Sequence, residues 1–228
     1  MRDDLSGILV VDKAKAMTSH DVVKLVRRRF AIKKVGHAGT LDPSATGVLV
    51  LLLGKATKLS GRFLEEDKEY AATIKLGEKT DSADSDGNLI LVREVRSSER
   101  DVKDTMAGFL GEMEQIPPMV SAKRVNGKRL YELARKGIEV KREPKRIVIK
   151  KLEIADIEIP FVRFRTVCSK GTYIRQLADD IGEKLGCGAH LTELKRLRSG
   201  SFPLEKAVPF SALLNMDRER LNESIIRI

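Results

Sequence analysis

The sequence predicts a single domain containing both strands and helices, on three observations. Short apolar runs, GILVV at Gly7–Val11 and VLVLLLG at Val48–Gly54, have the length and composition of buried strands. Along Phe161–Cys168, Val162, Phe164, Thr166 and Cys168 alternate with Arg163, Arg165 and Val167, the two-residue period of a strand with one covered face. Two longer stretches, Val22–Phe30 and Ile174–Leu185, instead space their apolar residues three and four apart, as a helix does. No internal repeat or low-complexity linker divides the 228 residues, so one domain is the simplest reading.

Taken in order, the strand Gly7–Val11 is followed by Lys13 and then by a helix opened by Thr18 and Ser19. Asp21 stands where it can return the cap. Val22, Leu25, Val26 and Phe30 form its buried stripe, and Lys24, Arg27, Arg28 and Arg29 cover the rest. Next comes GHAGTLDPSATG, Gly36–Gly47, whose three glycines and one proline exclude regular structure and require a sharply turned loop. Asp42 precedes Pro43, which pushes it toward extended geometry and holds its carboxylate in one direction. Taken alone, this loop also fits a surface Asp-Pro turn. The strand at Val48–Gly54 anchors it. Tyr70–Leu76 reads as a strand, Thr80–Asn88 as a polar turn, Leu89–Val95 as a strand and Glu99–Leu110 as a helix. The spaced acids of TDSADSDGN resemble a calcium loop, but Leu91 or Val92 stands where its closing glutamate belongs.

Pro117–Arg146 reads as an insertion with an NGK turn, a short helix at Leu130–Lys136 and little core of its own. Strands follow at Ile147–Ile154 and Phe161–Cys168. Thr172 is the expected cap of a helix with stripe Ile174, Leu177, Ala178, Ile181 and Leu185, closed by Gly186. Leu191–Arg198 is expected to be a second short helix. Residues 204–228 are read as a last helix, Ser211–Met216, and a charged tail.

The charge is uneven. The chain carries a net +10, of which +7 lies in the thirty residues Pro117–Arg146. Such a concentration favours a polyanionic partner, nucleic acid before membrane. No apolar run approaches the ~18 residues of a membrane span, and MRDDLSG lacks a secretory signal's apolar segment. Two cysteines, Cys168 and Cys187, make no disulfide framework. A cytoplasmic protein is expected. The histidines are His20, His37 and His190; Cys187 and His190 have ligand spacing, but no second close pair completes a metal site. Arg175 falls near a helix N-terminus, where the dipole disfavours a cation, so it calls for a carboxylate, and Asp42 is the candidate.

GHAGTLDPSATGVL, KEY at Lys68–Tyr70, IPPMVSAKRVNGKRLYELARKGIEV and SKGTYIRQLADDIGEKLGCGAH, in this order along nearly the whole chain, resemble the TruB-type tRNA pseudouridine synthases. The resemblance implies an α+β pseudouridine synthase fold, a mixed, largely antiparallel sheet flanked by helices with a basic RNA-binding insertion. It implies isomerisation of uridine 55 in the T-loop of elongator tRNAs, with the base flipped out and no cofactor. It makes Asp42 the catalytic nucleophile, with Tyr70 and Arg175 catalytic beside it. His37, Tyr70, Tyr173, Leu194 and Lys13 are then the substrate-binding residues. Lys123, Arg124, Lys128, Arg129, Arg135, Lys136 and Arg142 of the insertion are the expected RNA contacts. The expected partner is the tRNA T-stem-loop, met by a monomer that needs no protein partner, metal or membrane.

Two departures qualify the resemblance. The family's DKPxGxTS appears here as DKAKAMTS, with Ala14 and Ala16 at the proline and glycine positions, so this loop is expected to be less rigid. The family's C-terminal PUA domain is expected to be missing, since the sequence stops at Ile228, and binding to the tRNA acceptor stem is then expected to be weaker or differently arranged. A guide-RNA-dependent relative and an RNA chaperone on the same fold are the alternative readings.

Overall fold

In the computed structural model the described residues are 5–119, 121, 124, 125, 127–130, 133, 137, 138 and 140–228. They form two compact units, Met1–Tyr70 with Leu194–Ile228, and Ala71–Glu193. The fold is α+β with mixed, mainly antiparallel strand pairing and flanking helices, as expected.

In the first unit, β1 (Gly7–Lys13) leads to α1 (Ser19–Arg29), then β2 (Val35–His37) and β3 (Thr46–Leu53). Thr18 and Asp21 close the expected capping box on α1. Val22, Val23 and Val26 are its buried face, whereas Arg27, Arg28 and Arg29 are exposed at the end where the dipole favours cations. β3 pairs antiparallel with β1 over seven positions, from Gly7 opposite Leu53 to Lys13 opposite Gly47. Val48 to Leu53 are all fully buried, so both faces of this strand are covered, which is why its sequence is continuously apolar. On one face Val48, Val50 and Leu52 pack with Ile8, Val10, Phe63 and Phe202. Phe63 belongs to a further helix, α2 (Ser60–Glu65).

The second unit starts within β4 (Lys68–Leu76) and continues through the hairpin of β5 (Glu78–Thr80) and β6 (Leu89–Val92) to α3 (Glu99–Ala107) and β7 (Gly111–Gln115). The short pair β8 (Arg124–Val125) and β9 (Lys128–Arg129) follows. β10 (Lys145–Glu158) and β11 (Phe161–Cys168) form a long antiparallel hairpin, and β7 adds to the outer edge of β10. The predicted alternation of β11 is realised, with Val162, Phe164, Thr166 and Cys168 buried. After it comes α4 (Ile174–Lys184), whose buried face is Ile174, Leu177, Ala178 and Ile181. Thr172 does not cap α4. The N-cap residue is Tyr173, and the Thr172 hydroxyl donates instead to Ser169 O at 2.9 Å.

The chain returns to the first unit within β12 (Ala189–Ser199). This corrects the helix expected over Leu191–Arg198. Leu191, Leu194 and Leu197 lie three apart and imitate helical spacing, but parallel pairing of Lys195 with Thr46 and Arg196 with Gly47 makes the segment a strand. Tertiary pairing overrides local propensity here. β13 (Phe202–Pro203) turns back on β12, and β14 (Val208–Pro209) runs parallel to β1. The expected helix appears as α5 (Phe210–Asn215), and part of the expected tail is helical too, α6 (Arg218–Ser224). Asp217 caps α6, and Ile226 exchanges backbone hydrogen bonds of 2.8 and 2.9 Å with Ile8.

Candidate active site

The loop bearing Asp42 leaves β2 and enters β3, and its position is set from the main chain outward. Gly47 has φ +96°, and a Cβ there would lie 2.2 Å from Arg196 O, so only glycine lets β12 pass this close. The residues on either side of Asp42 are both tied down. Ser19 Oγ accepts from Leu41 N at 2.8 Å and donates to Leu41 O at 3.1 Å. Pro43 O accepts from Ala16 N at 2.9 Å and from Lys13 Nζ at 3.4 Å. Asp42 is half-buried between these anchors. Ala16 makes its bond at φ +64°, a conformation that suits glycine and strains alanine.

Lys13 is fully buried, and its Nζ also donates to Ala14 O at 2.9 Å and Met17 O at 2.8 Å. Expected as a substrate contact, Lys13 here gives its protons to main-chain carbonyls. It holds the loop. Burial lowers the Lys13 pKa from 10.5 to about 8, with the nearby Asp42 charge opposing the shift and Arg196 adding to it.

His37, in β2, is half-buried. Burial above all, then Arg196 and His20, lowers its pKa, favouring the neutral ring. Its Nδ1 is buried with no hydrogen-bond partner among the described residues. Tyr70 is buried in β4, and Leu194 is half-buried on β12 rather than on the helix expected for it.

The second unit holds Tyr173 and Arg175. Gln115, itself buried, grips the Tyr173 backbone twice: its Oε1 accepts from Tyr173 N at 2.8 Å, and its Nε2 donates to Tyr173 O at 3.1 Å. Arg175 is 4% exposed and donates from Nη1 to Ser82 O at 3.1 Å, with Asp84 Oδ2 at 3.5 Å. Asp84 is thus a carboxylate partner that sequence reasoning missed. It sits in the polar Thr80–Asn88 turn, held by the Ser82 hydroxyl, by Asp86 N at 3.1 Å, and through its own carbonyl by Thr80 Oγ1 at 2.7 Å. Of the acids that suggested a calcium loop, Asp84 is engaged in this network and Asp81 accepts from Asn88 N at 2.9 Å and Asn88 Nδ2 at 3.0 Å. Among the described residues no three His, Cys, Asp or Glu side chains are grouped to hold a metal ion.

In the basic insertion, Arg124, Lys128 and Arg129 belong to the β8–β9 hairpin, and Arg142 Nη1 donates to Pro117 O at 3.3 Å, tying the two ends together. Lys123, Arg135 and Lys136 lie outside the described residues, as does most of the expected Leu130–Lys136 helix. Leu130 and Leu133 are buried, more inward packing than the sequence suggested.

Residues 27–174 match the model of the TruB family pseudouridylate synthase N-terminal domain. The chain belongs to the TruB family. Residues 175–227 match the tRNA pseudouridylate synthase B C-terminal domain. Among curated TruB relatives, tRNA pseudouridine synthase B of Opitutus terrae is 45% identical over 228 residues, covering 100% of this chain and 95% of its own. The Protochlamydia amoebophila protein of the same name is 50% identical over 205 residues, 90% of this chain and 78% of its own. The crystal structure of a Cbf5–Nop10–Gar1 complex contains a chain with a TM-score of 0.77 and 30% identity, matching 98% of this TruB chain. The match spans 60% of that longer chain. Among the described residues no helix is long and apolar enough to cross a membrane.

Proposed function

We propose that the protein is a tRNA pseudouridine synthase that isomerises uridine 55 in the T-loop of elongator tRNAs. The observation that carries the proposal is the Asp42 loop: a half-buried carboxylate whose two sequence neighbours are both tied to the Lys13–Ser19 segment. Relatives 45–50% identical that are named tRNA pseudouridine synthase B support the same reading.

The reaction breaks the C1′–N1 bond, turns the uracil and forms a C1′–C5 bond. The proton lost from C5 is balanced by one gained at N1, so the product is an isomer and no net oxidation occurs. A carboxylate ionised at neutral pH, as an ordinary aspartate is, can serve as the nucleophile. Asp42 takes that role. Tyr70 packs on the uracil, and His37, whose ring favours the neutral form, serves base flipping by stacking. Leu194 supplies an apolar contact to the base. Tyr173 and Arg175 serve the same reaction, with Gln115 and Asp84 fixing them. Swinging the base out of the T-loop costs a few kcal/mol, and phosphate contacts from the Pro117–Arg146 insertion offset it.

The protein acts as a monomer without guide RNA or protein partners. Identity of 45–50% to relatives named tRNA pseudouridine synthase B, against 30% to a chain of the Cbf5–Nop10–Gar1 complex, favours this reading over the guide-dependent one. The test is incubation of purified protein with an unmodified tRNA transcript, followed by mapping of pseudouridine to the nucleotide. Product at position 55 supports the proposal. No product without added guide RNA or protein contradicts it, and binding without conversion would indicate a chaperone.

A further inference from the structure

Arg196 lies on β12 and is 1% exposed. Its Nε donates to Val48 O at 2.6 Å and its Nη2 to Gly39 O at 3.1 Å. These two carbonyls stand at opposite ends of the stretch that carries Asp42, so one planar guanidinium spans the neck of the loop. Its own backbone fits against Gly47, where no side chain could be tolerated, and Gly39 faces the guanidinium with φ +101°. The rigid fork suits this task better than a lysine would, since two donors meet two acceptors with one side chain fixed.

Stability alone is a poor reason for this arrangement. Burying a cation is costly, and an apolar side chain of similar volume is commonly as stable or more so. The two bonds described are to carbonyls, and the charge of Arg196 is felt by Lys13 and His37, both basic. What the guanidinium supplies is geometry at the base of the Asp42 loop. Ser19 and Lys13 hold the residues adjacent to Asp42, and Arg196 holds the ends.

We propose that Arg196 is a positioning residue for the isomerisation, acting through the loop neck on the placement of Asp42 rather than on tRNA. This inference rests on the proposed tRNA pseudouridine synthase activity. It requires that loosening the neck slow the chemical step while leaving tRNA affinity in place.

The experiment compares the full chain with Arg196→Met and Arg196→Lys. Amide hydrogen exchange is followed across the chain, and single-turnover pseudouridine formation is measured at saturating enzyme. Faster exchange at Leu41 and Ala45, with the β10–β11 hairpin unchanged, is expected in Arg196→Met. The single-turnover rate should fall about 100-fold, as for an ångström-scale misplacement of a reacting group, with the Kd for tRNA within about twofold. Arg196→Lys should recover part of the rate, and added guanidinium ion should raise the rate of Arg196→Met where sodium chloride of equal ionic strength does not. Unchanged exchange in the loop, or a wild-type rate in folded Arg196→Met, overturns the inference. Faster exchange throughout both units also overturns it, since Arg196 would then be a general stability residue. Wild-type protein that forms no pseudouridine overturns the functional reading and the catalytic half of this one, while the exchange data still decide whether Arg196 holds the loop.

Discussion

Replacing Ser19 with alanine removes one hydroxyl that serves both backbone groups of Leu41, at 2.8 and 3.1 Å, in a position 1% exposed. A buried hydrogen bond contributes about 0.5–1.5 kcal/mol net, and a buried group left without its partner costs about 1–3 kcal/mol. The expected loss is therefore about 2–3 kcal/mol. Alanine is the better helix former at the first residue of α1, but that gain is at most about 0.5 kcal/mol, and the cap itself belongs to Thr18. The loss wins. For a chain of this size, 1 kcal/mol moves Tm by about 2–4 °C, so calorimetry should show a fall of roughly 5–10 °C for the transition that includes the first unit. The single-turnover rate on tRNA should fall further than stability alone explains, because the variant is still folded at the assay temperature and Asp42 is less well held. A Tm within about 1 °C of wild type, together with an unchanged rate, would refute the idea that Ser19 fixes the Asp42 loop.

Ala16→Gly should stabilise the protein. The left-handed φ of +64° costs an alanine about 1–2 kcal/mol, against about 0.4–1 kcal/mol for glycine's freer unfolded chain. The difference, a net gain of up to about 1.6 kcal/mol, should appear as a higher Tm, and a lower one means that the position is not strained. The Lys13 ammonium, with its pKa lowered to about 8, should give the single-turnover rate an alkaline limb near that pH. A neutral amine has too few protons for its three carbonyls and no charge beside Asp42. The stability sign is opposite: between about 8 and 10.5 the folded state releases a proton that the unfolded state keeps, so this group's contribution rises with pH. A rate that stays flat through that window would count against the Lys13 anchor. Changing Lys128 and Arg129 to glutamine should weaken tRNA binding and reduce the slope of log affinity against log salt by about 1–2; an unchanged slope would remove the hairpin from the interface.

Much of the first unit was legible in the sequence because its signals are local. The Thr18–Asp21 cap, the apolar run of β3 and the glycine loop each follow from a few adjacent residues. What escaped was set by partners distant in the chain. β12 has leucines at helical spacing and is a strand through pairing with strands distant in the chain, β3 among them. Arg196 therefore could not be seen as a loop clamp, since that role needs the strand and its 148-residue separation from Val48. Arg175 was rightly expected to need a carboxylate, yet Asp84 was hidden in a turn whose acids suggested calcium. Ser19 read as part of a helix start, and nothing local revealed its bonds to Leu41. The substitution of Ala16 for glycine suggested a looser loop; the structure shows it bonded to Pro43 in a glycine-like conformation instead.

The central claim is that the carboxylate of Asp42 performs the chemistry. The most direct measurement is single-turnover pseudouridine formation by Asp42→Asn on unmodified tRNA, with tRNA affinity determined in parallel. Product at background with affinity near wild type is predicted. Substantial turnover by the folded variant would contradict the account.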